Sequence, residues 1–219
     1  MIGGDTSASP DKVVIDSIVL GSCASGKSVR RSGCQGGRCD LCDSSLGASA
    51  AGLELLQRGV RFDDTARDEA NEAIRTHLLP EPRLAFGQKL GALGLAQAMM
   101  DVSDGLLQDL MHICEESGVD AAVECAAVPV ADAAFTIAEA AEVAFSWALG
   151  GGEDYELLFT AAPRRETKLR QCAAKYGVAI TRIGEIIARD PAQLQPQVFL
   201  LQDGRVDLPT VTGYDHFRA

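Results

Sequence analysis

Residues 95–105 read Leu95-Ala96-Gln97-Ala98-Met99-Met100-Asp101-Val102-Ser103-Asp104-Gly105, so that two acids and a hydroxyl lie between two apolar segments. The run 95–100 is apolar except for Gln97, which predicts a short buried strand. After Gly105, apolar residues recur at helical spacing up to Gly118, which predicts an amphipathic helix. The sequence therefore predicts a strand, an acidic loop and a helix in direct succession.

The acidic loop suits a phosphate ligand accompanied by metal. The first turn of a helix presents unsatisfied amides and a partial positive charge, which favour phosphate oxygens. Paired carboxylates such as Asp101 and Asp104 can hold the Mg²⁺ that accompanies those phosphates. The alternative is structural, because Ser103 or Asp104 could be the N-cap of the helix. A cap does not require Asp101, three residues earlier.

Two further segments combine glycine with acids. Residues 150–155 read Gly-Gly-Gly-Glu-Asp-Tyr and lead into an apolar strand pattern, and residues 3–7 read Gly-Gly-Asp-Thr-Ser. Glycine lets backbone approach a ligand closely, and the acids can bind metal. Each segment alone is equally compatible with an ordinary turn. Neither is diagnostic by itself.

The remaining pattern mixes strands and helices. Helical patterns cover 49–58, 65–79 and 163–176, and strand patterns cover 13–20, 155–160 and 178–187. A loop rich in glycine and serine over 21–37 indicates a boundary near Gly33. The pattern predicts an α+β fold, a mixed sheet with flanking helices. The 219 residues correspond to about one and a half domains at roughly 150 residues per domain.

Composition excludes several classes of protein. Apolar residues make up 47% and charged residues 23%, as in globular proteins with a buried core. The net charge is −11, and the longest basic runs are the pairs at 30–31 and 164–165, so we expect no nucleic-acid or anionic-membrane partner. There is no apolar stretch of about 20 residues and no secretion-signal pattern at the start. We therefore expect a cytoplasmic protein.

Taken in order, the motifs resemble the thiamine-monophosphate kinase family, which belongs to the aminoimidazole ribonucleotide synthetase-like superfamily. The resemblance spans nearly the whole chain and rests on Gly3–Thr6, Arg31–Gly33, Leu46–Leu53, Pro80–Arg83, Asp101–Leu106, Gly151–Thr160, Ile183–Gly184 and Gly213–Phe217. The runs Asp-x-Ser-Asp-Gly and Gly-Gly-Glu-Asp-Tyr-Glu-Leu together separate this family from its relatives.

The resemblance implies ATP-dependent phosphorylation of thiamine monophosphate to thiamine diphosphate, by direct in-line transfer with several Mg²⁺ ions and no covalent enzyme intermediate. Such transfer relies on positioning and electrostatic stabilisation. By resemblance, the metal ligands are Asp5, Asp101 and Asp104. The resemblance also implies that ATP is contacted by Gly4, Asp5, Arg31 and Ser103, and that the thiamine-side contacts are Glu153 and Tyr214.

The chain departs from the family pattern in two places. Family members have a further N-terminal portion that supplies more metal ligands and most of a homodimer interface. We therefore expect residues 1–33 to be a remnant of the N-terminal ATP-binding domain, 34–219 to be the C-terminal α+β domain, and the chain by itself to be catalytically incomplete. Second, charges interrupt the strand expected at 36–43, which reads Gly-Gly-Arg-Cys-Asp-Leu-Cys-Asp.

The cysteines support an alternative function. Four of the seven lie in or near the altered segment, namely Cys23, Cys34, Cys39 and Cys42. Only Cys39 and Cys42 have the spacing of a zinc knuckle, whereas a structural zinc site normally needs two such pairs. The alternative is a catalytically dead domain acting as a cysteine-rich metal-binding or interaction module. We favour reduced cysteines without metal, and expect His112 to lie on one face of the helix after Gly105.

Overall fold

The computed structural model describes residues 18, 20–211 and 213. Seven strands form one mixed sheet in the order β2-β4-β1-β5-β3-β6-β7. The strands are β1 Arg38–Asp43, β2 Ala98–Asp101, β3 Asp120–Glu124, β4 Leu157–Ala161, β5 Ile180–Ile187, β6 Val198–Gln202 and β7 Arg205–Asp207. All neighbours are antiparallel except β3 and β6. The predicted α+β class with a mixed sheet is confirmed.

Helices cover both faces of the sheet. They are α1 Ala48–Gln57, α2 Glu69–Leu78, α3 Leu84–Leu93, α4 Leu106–Ser117, α5 Asp132–Ile137, α6 Ala141–Gly150 and α7 Glu166–Lys175. Leu158 and Phe159 are adjacent in β4 and therefore point to opposite faces. Leu158 packs with the apolar residues of α4 and α6, and Phe159 packs with those of α3 and α7. The sheet is thus the middle of three layers.

A third, smaller cluster joins α1, α2, α5 and α6 through alanines such as Ala51, Ala73 and Ala144. A Cβ on Gly52 would lie 2.1 Å from the carbonyl oxygen of Ala73, so only glycine permits the close crossing of α1 and α2. These small side chains allow the helices beside the sheet to pack at short distance. No helix among the described residues has the length and apolarity needed to cross a bilayer.

Most predicted elements are present, with shifted ends. The helix predicted at 65–79 begins at Glu69, because the side chain of Asp68 accepts a hydrogen bond from the N–H of Asn71 and caps it. The strand predicted at 95–100 begins at Ala98, because Leu95 N–H still bonds to Leu90 and closes α3. Helix α3 was not predicted, since its two glycines weaken the helical signal. The strand predicted at 13–20 falls almost wholly outside the described residues.

The expectation that charges interrupt the strand at 36–43 is wrong. β1 is a central strand, paired with β4 on one side and β5 on the other, with an irregularity between Asp40 and Leu41. Hydrogen bonding on both edges stabilises the strand in spite of its charges. Its last residue, Asp43, is fully buried, and its carboxylate accepts a hydrogen bond from Leu157 N–H. The proposed division at Gly33 stays a prediction.

Candidate active site

The two acidic motifs lie side by side. Beyond the β2–β4 pairing, Val102 N–H bonds to Glu156 at 2.8 Å, and Val102 accepts from Tyr155 N–H at 2.8 Å. Ser103 accepts from Glu153 N–H at 2.9 Å. A Cβ on Gly152 would lie 2.3 Å from the carbonyl oxygen of Ser103, which explains why this contact requires glycine. The structure therefore brings Asp101, Ser103, Asp104 and Glu153 together at one end of the paired strands β2 and β4.

The acidic loop is held by a residue that the sequence analysis missed. Asp109, in the first turn of α4, is buried, and its Oδ2 accepts from the N–H groups of Ser103 at 2.9 Å and Asp104 at 3.0 Å. Asp109 lies among the apolar residues on the face of α4 that packs against the sheet. An acid at such a position was the only indication in the sequence that Asp109 has a special role. These two amides are engaged by Asp109 and are therefore not available to a phosphate.

The capping alternative for the loop is wrong. The N-cap of α4 is Gly105, with a φ of 110°, and neither Ser103 nor Asp104 occupies that position. A Cβ on Gly105 would lie 2.8 Å from the carbonyl carbon of Gly150, so this residue too must be glycine. The side chains of Ser103 and Asp104 are thus not required for capping.

Three side chains at the start of α4 can supply metal ligands. Ligand atoms of Asp104, Asp109 and His112 all lie within 4.8 Å of one another. Asp109 Oδ1 is buried without a hydrogen-bond partner, and burial raises the pKa of Asp109 to about 6. Two carboxylates and an imidazole suit a divalent cation, so the residues present fit a metal ion here. Asp104 was predicted as a ligand, whereas Asp109 and His112 were not.

The second loop is fixed to α1 by Asp154. Its Oδ2 accepts from Gly47 N–H at 2.8 Å and its Oδ1 from Ser49 N–H at 3.0 Å. Glu153 and Tyr155 have φ values of 68° and 53°, and this left-handed backbone turns Asp154 inward. The Tyr155 hydroxyl lies 3.3 Å from the Glu153 carboxylate. Burial raises the pKa of Asp154 to about 6. The loop is therefore positioned by a buried acid between two outward-facing side chains.

Beneath the loop lies a buried cluster of two acids and one arginine. Arg83, which precedes α3, bonds to Glu156 in two-point geometry, with Nε–Oε2 at 2.7 Å and Nη2–Oε1 at 2.6 Å. Arg83 Nε also lies 3.9 Å from Asp43 Oδ2. Burial, followed by the charge of Glu156, raises the pKa of Asp43 well above its usual range. The Pro80–Arg83 motif therefore has a structural role, since it joins α3 to the strand that follows the loop.

The remaining predicted site residues either lie away from the acidic loop or fall outside the described residues. The carbonyl of Arg31 accepts from the Ser117 hydroxyl at 3.4 Å, at the far end of α4 from Asp104. From Leu106 to Ser117 the helix rises over eleven residue steps, which is about 16 Å. The backbone of Arg31 is thus not at the acidic loop. Gly4, Asp5 and Tyr214 lie outside the described residues. A Cβ on Gly213 would lie 2.4 Å from the Asp104 carbonyl oxygen, so Gly213 itself lies beside the loop.

The cysteine alternative gains no support from the described part of the chain. The one group of three or more potential metal ligands found there is Asp104, Asp109 and His112, which contains no cysteine. Cys42 is fully buried, with its Sγ 3.2 Å from the carbonyl oxygen of Asp43, whereas Cys23 is exposed. Burial raises the pKa of the Cys42 thiol well above its ordinary value. Cys42 is therefore held as a neutral thiol in the core.

The sequence of the chain is similar to those of known proteins. Residues 43–195 match the family model described as AIR synthase related protein, C-terminal domain. The chain is 36% identical to the thiamine-monophosphate kinase of Salmonella typhimurium and 37% identical to that of Escherichia coli, over 99% of its own length. It spans 63% of the length of each of these relatives.

Solved structures give the same result. A thiamine-monophosphate kinase from Stenotrophomonas maltophilia matches with a TM-score of 0.71 at 33% identity, over 83% of this chain and 55% of that one. A ThiL protein complexed with AMPPCP and TMP matches with a TM-score of 0.67 at 29% identity, over 86% of this chain and 54% of that one. Through the domain at residues 43–195, the chain belongs to the AIR synthase related protein family, within which it is similar to thiamine-monophosphate kinases.

Proposed function

We propose that the chain is part of an ATP-dependent kinase that converts thiamine monophosphate into thiamine diphosphate. The observation that carries the proposal is the pairing of the loop 101–105 with the loop 151–156. The hydrogen bonds of Val102 and Ser103 bring Asp101, Asp104 and Glu153 to one edge of the sheet. The relatives that the chain matches at 36% and 37% identity are thiamine-monophosphate kinases, and the similar ThiL structure is a complex with AMPPCP and TMP.

In this proposal, Asp101 and Asp104 hold Mg²⁺, with Asp5 as a further ligand and with the carboxylate of Asp109 within 4.8 Å of that of Asp104. The metal ions, when bound, neutralise the triphosphate and stabilise the charge that develops during transfer. The residues of the chain then have three tasks. The acids attract the cations, Asp109 fixes the loop that carries Asp104, and Asp154 fixes the loop that carries Glu153.

The two loops divide the substrates in this proposal. Ser103, with Gly4 and Arg31, contacts ATP, and Glu153, with Tyr214, contacts the thiamine side. A carboxylate at 153 suits a cationic thiamine ring, because opposite charges attract strongly in a partly desolvated site. Gly213, which precedes Tyr214 in the sequence, lies against Asp104. The family homodimer and the cytoplasmic location also remain proposals.

The direct test is turnover. A protein of the relatives' full length is incubated with ATP, Mg²⁺ and thiamine monophosphate, and thiamine diphosphate is followed by chromatography. We expect product that depends on both substrates and disappears when EDTA removes the metal. Hydrolysis of ATP without formation of thiamine diphosphate would contradict the assigned acceptor. Zinc bound in stoichiometric amount, measured by elemental analysis, would instead favour the cysteine-rich module.

A further inference from the structure

A second concave site lies at the opposite end of the same strands. It is a cleft of about 780 Å³ between α3 and α7, and its lining includes five basic residues, namely Lys89, Arg164, Arg165, Lys168 and Lys175. Leu95, which lines the cleft, precedes β2, whereas Asp101 ends that strand. Arg164 and Arg165 follow β4, whereas Glu156 precedes it. At about 3.3 Å per residue, roughly 15 Å of strand separates the cleft from the candidate active site.

The charge of the cleft is opposite to that of the chain. The chain has 31 acidic and 20 basic residues, yet five of the basic ones face this single cavity. Helix α3 contains no acid, and Glu166, the acid of α7, is bound to Arg170 through contacts of 3.0 and 2.8 Å. None of the five cations forms an ion pair with a described carboxylate. The cavity therefore carries positive charge that the described protein does not neutralise.

Helical spacing explains how the cations come together. Lys168, Gln171, Cys172 and Lys175 recur at three- and four-residue intervals and so share one face of α7. Lys89 and Leu93 are four residues apart on the facing side of α3. Arg165 reaches towards the end of α3, where its Nη1 lies 3.8 Å from the Cβ position of Gly94. No basic run longer than two residues exists in the sequence, so only folding creates this cluster.

The floor of the cleft is apolar. Leu95 is 3% exposed and Cys172 is 6% exposed, whereas Leu93 and Tyr176 stand at the rim and are half exposed. Apolar surface below a ring of cations suits a ligand with an apolar ring and one or more phosphate groups. Arginine binds phosphate oxygens through its planar fork, and lysine binds them as a point charge. The volume is that of a small-molecule site and not of an extended nucleic-acid track.

We propose that the cleft between α3 and α7 binds a small organic phosphate, in a site separate from the candidate active site. The site needs no metal ion, because its own side chains neutralise the phosphate. This distinguishes the cleft from the acidic loop at Asp101 and Asp104, where a triphosphate requires bound cations. The two sites can therefore be measured separately in one protein.

The test titrates ATP and inorganic tripolyphosphate into the purified chain, in EDTA and at low ionic strength, by isothermal titration calorimetry. We expect one saturable site for each probe, weakened by added salt. The double variant Lys168→Gln/Lys175→Gln should weaken both probes about tenfold, through the loss of two exposed charge contacts. The matched control Arg182→Gln/Arg205→Gln removes the same charge from residues outside the cleft and should change the affinity less than twofold.

A third variant tests the apolar rim. Leu93→Ala should weaken ATP but not tripolyphosphate, which has no ring to pack against Leu93. Circular dichroism verifies that each variant is folded, and hydrogen exchange should show protection of residues 164–176 by ATP. Absence of saturable binding in EDTA, or an equal loss in the control pair, would overturn the proposal. Equal weakening of ATP and tripolyphosphate by Leu93→Ala would contradict the proposal that the ligand has an organic ring. None of these experiments measures turnover, so their result is independent of the proposed kinase activity.

Discussion

The Asp109 carboxylate accepts a hydrogen bond from the backbone N–H of Asp104 at 3.0 Å, and this contact ties the acidic loop to the first turn of α4. The same oxygen accepts from Ser103 N–H, so one buried side chain sets the course of the backbone that carries both predicted ligands of this motif. The loop is thus fixed from within the helix that follows it and not by a cap at its own position.

The first prediction concerns this buried acid. Asp109→Ala should lower the free energy of unfolding by about 2 kcal/mol, because two loop amides lose their acceptor. Asp109→Asn should cost less, since its amide oxygen can still accept. Urea unfolding measures both. Glu116→Ala, at an exposed acid of the same helix, is the control and should stay within about 0.5 kcal/mol of wild type. Wild-type stability of Asp109→Ala would contradict the positioning role.

The second prediction separates metal binding from structure. In a chain of the relatives' full length, Asp101→Asn and Asp104→Asn should each reduce kcat by at least about 100-fold, because the carboxylates stabilise the transferred phosphoryl group through metal. The fold should be unchanged, since Gly105 and not Asp104 is the N-cap of α4. Steady-state kinetics at varied Mg²⁺, together with circular dichroism, provide the measurement. Wild-type turnover in both variants would refute the metal assignment.

The third prediction concerns substrate selectivity. Glu153→Gln should weaken thiamine-monophosphate binding about tenfold and ATP binding less than twofold, because only the thiamine ring is cationic. Tyr214→Phe should likewise weaken thiamine-monophosphate binding more than ATP binding. Calorimetric titration of each ligand gives the two affinities. Equal losses for both ligands would indicate distortion of the loop 151–156 and not a lost contact.

The fourth prediction uses the raised pKa of Asp43. The folded chain retains a proton on Asp43 that the unfolded chain releases, so this group makes stability fall as the pH rises from about 4 towards 8. Asn cannot ionise and matches the shape of the neutral acid. Asp43→Asn should therefore equal wild type near pH 4 and become more stable than wild type as the pH rises to 8.

Urea unfolding at several pH values measures this difference. Asp64→Asn, at an exposed acid, controls for the loss of one negative charge. A difference between Asp43→Asn and wild type that does not grow with pH would show that Asp43 is ionised in the folded protein.

The fifth prediction tests the contact between the two loops. Gly152→Ala places a methyl group 2.3 Å from the Ser103 carbonyl oxygen, so one loop must move. We expect a loss of about 2 kcal/mol or more in the free energy of unfolding, as for other overpacked sites. Gly21→Ala is the control, because its Cβ would meet nothing within 4 Å and should change stability by less than about 0.5 kcal/mol. Similar stabilities of the two variants would contradict the tight packing of the loops.

The sequence by itself determined the elements with strong periodicity and the identity of the chemical groups. The apolar run before Asp101 and the helical spacing after Gly105 are local patterns, and local patterns are enough to define β2 and α4. The resemblance of the motifs was also readable from residue order alone. Helix α3 was missed because Gly87 and Gly91 weaken its helical signal, although packing of Phe86 and Leu90 against the sheet stabilises it.

Only the tertiary structure decided which groups lie together. Asp104 and Glu153 are 49 positions apart in sequence, and strand pairing between β2 and β4 makes their loops neighbours. The role of Asp109 depends on where a helix presents its inner face, and the basic cleft depends on two helices that pack on the same side of the sheet. Charge counted along the chain indicated an acidic protein without basic clusters. Folding collects Lys89, Arg165 and Lys175 in one place, because proximity in space follows packing and not position in the sequence.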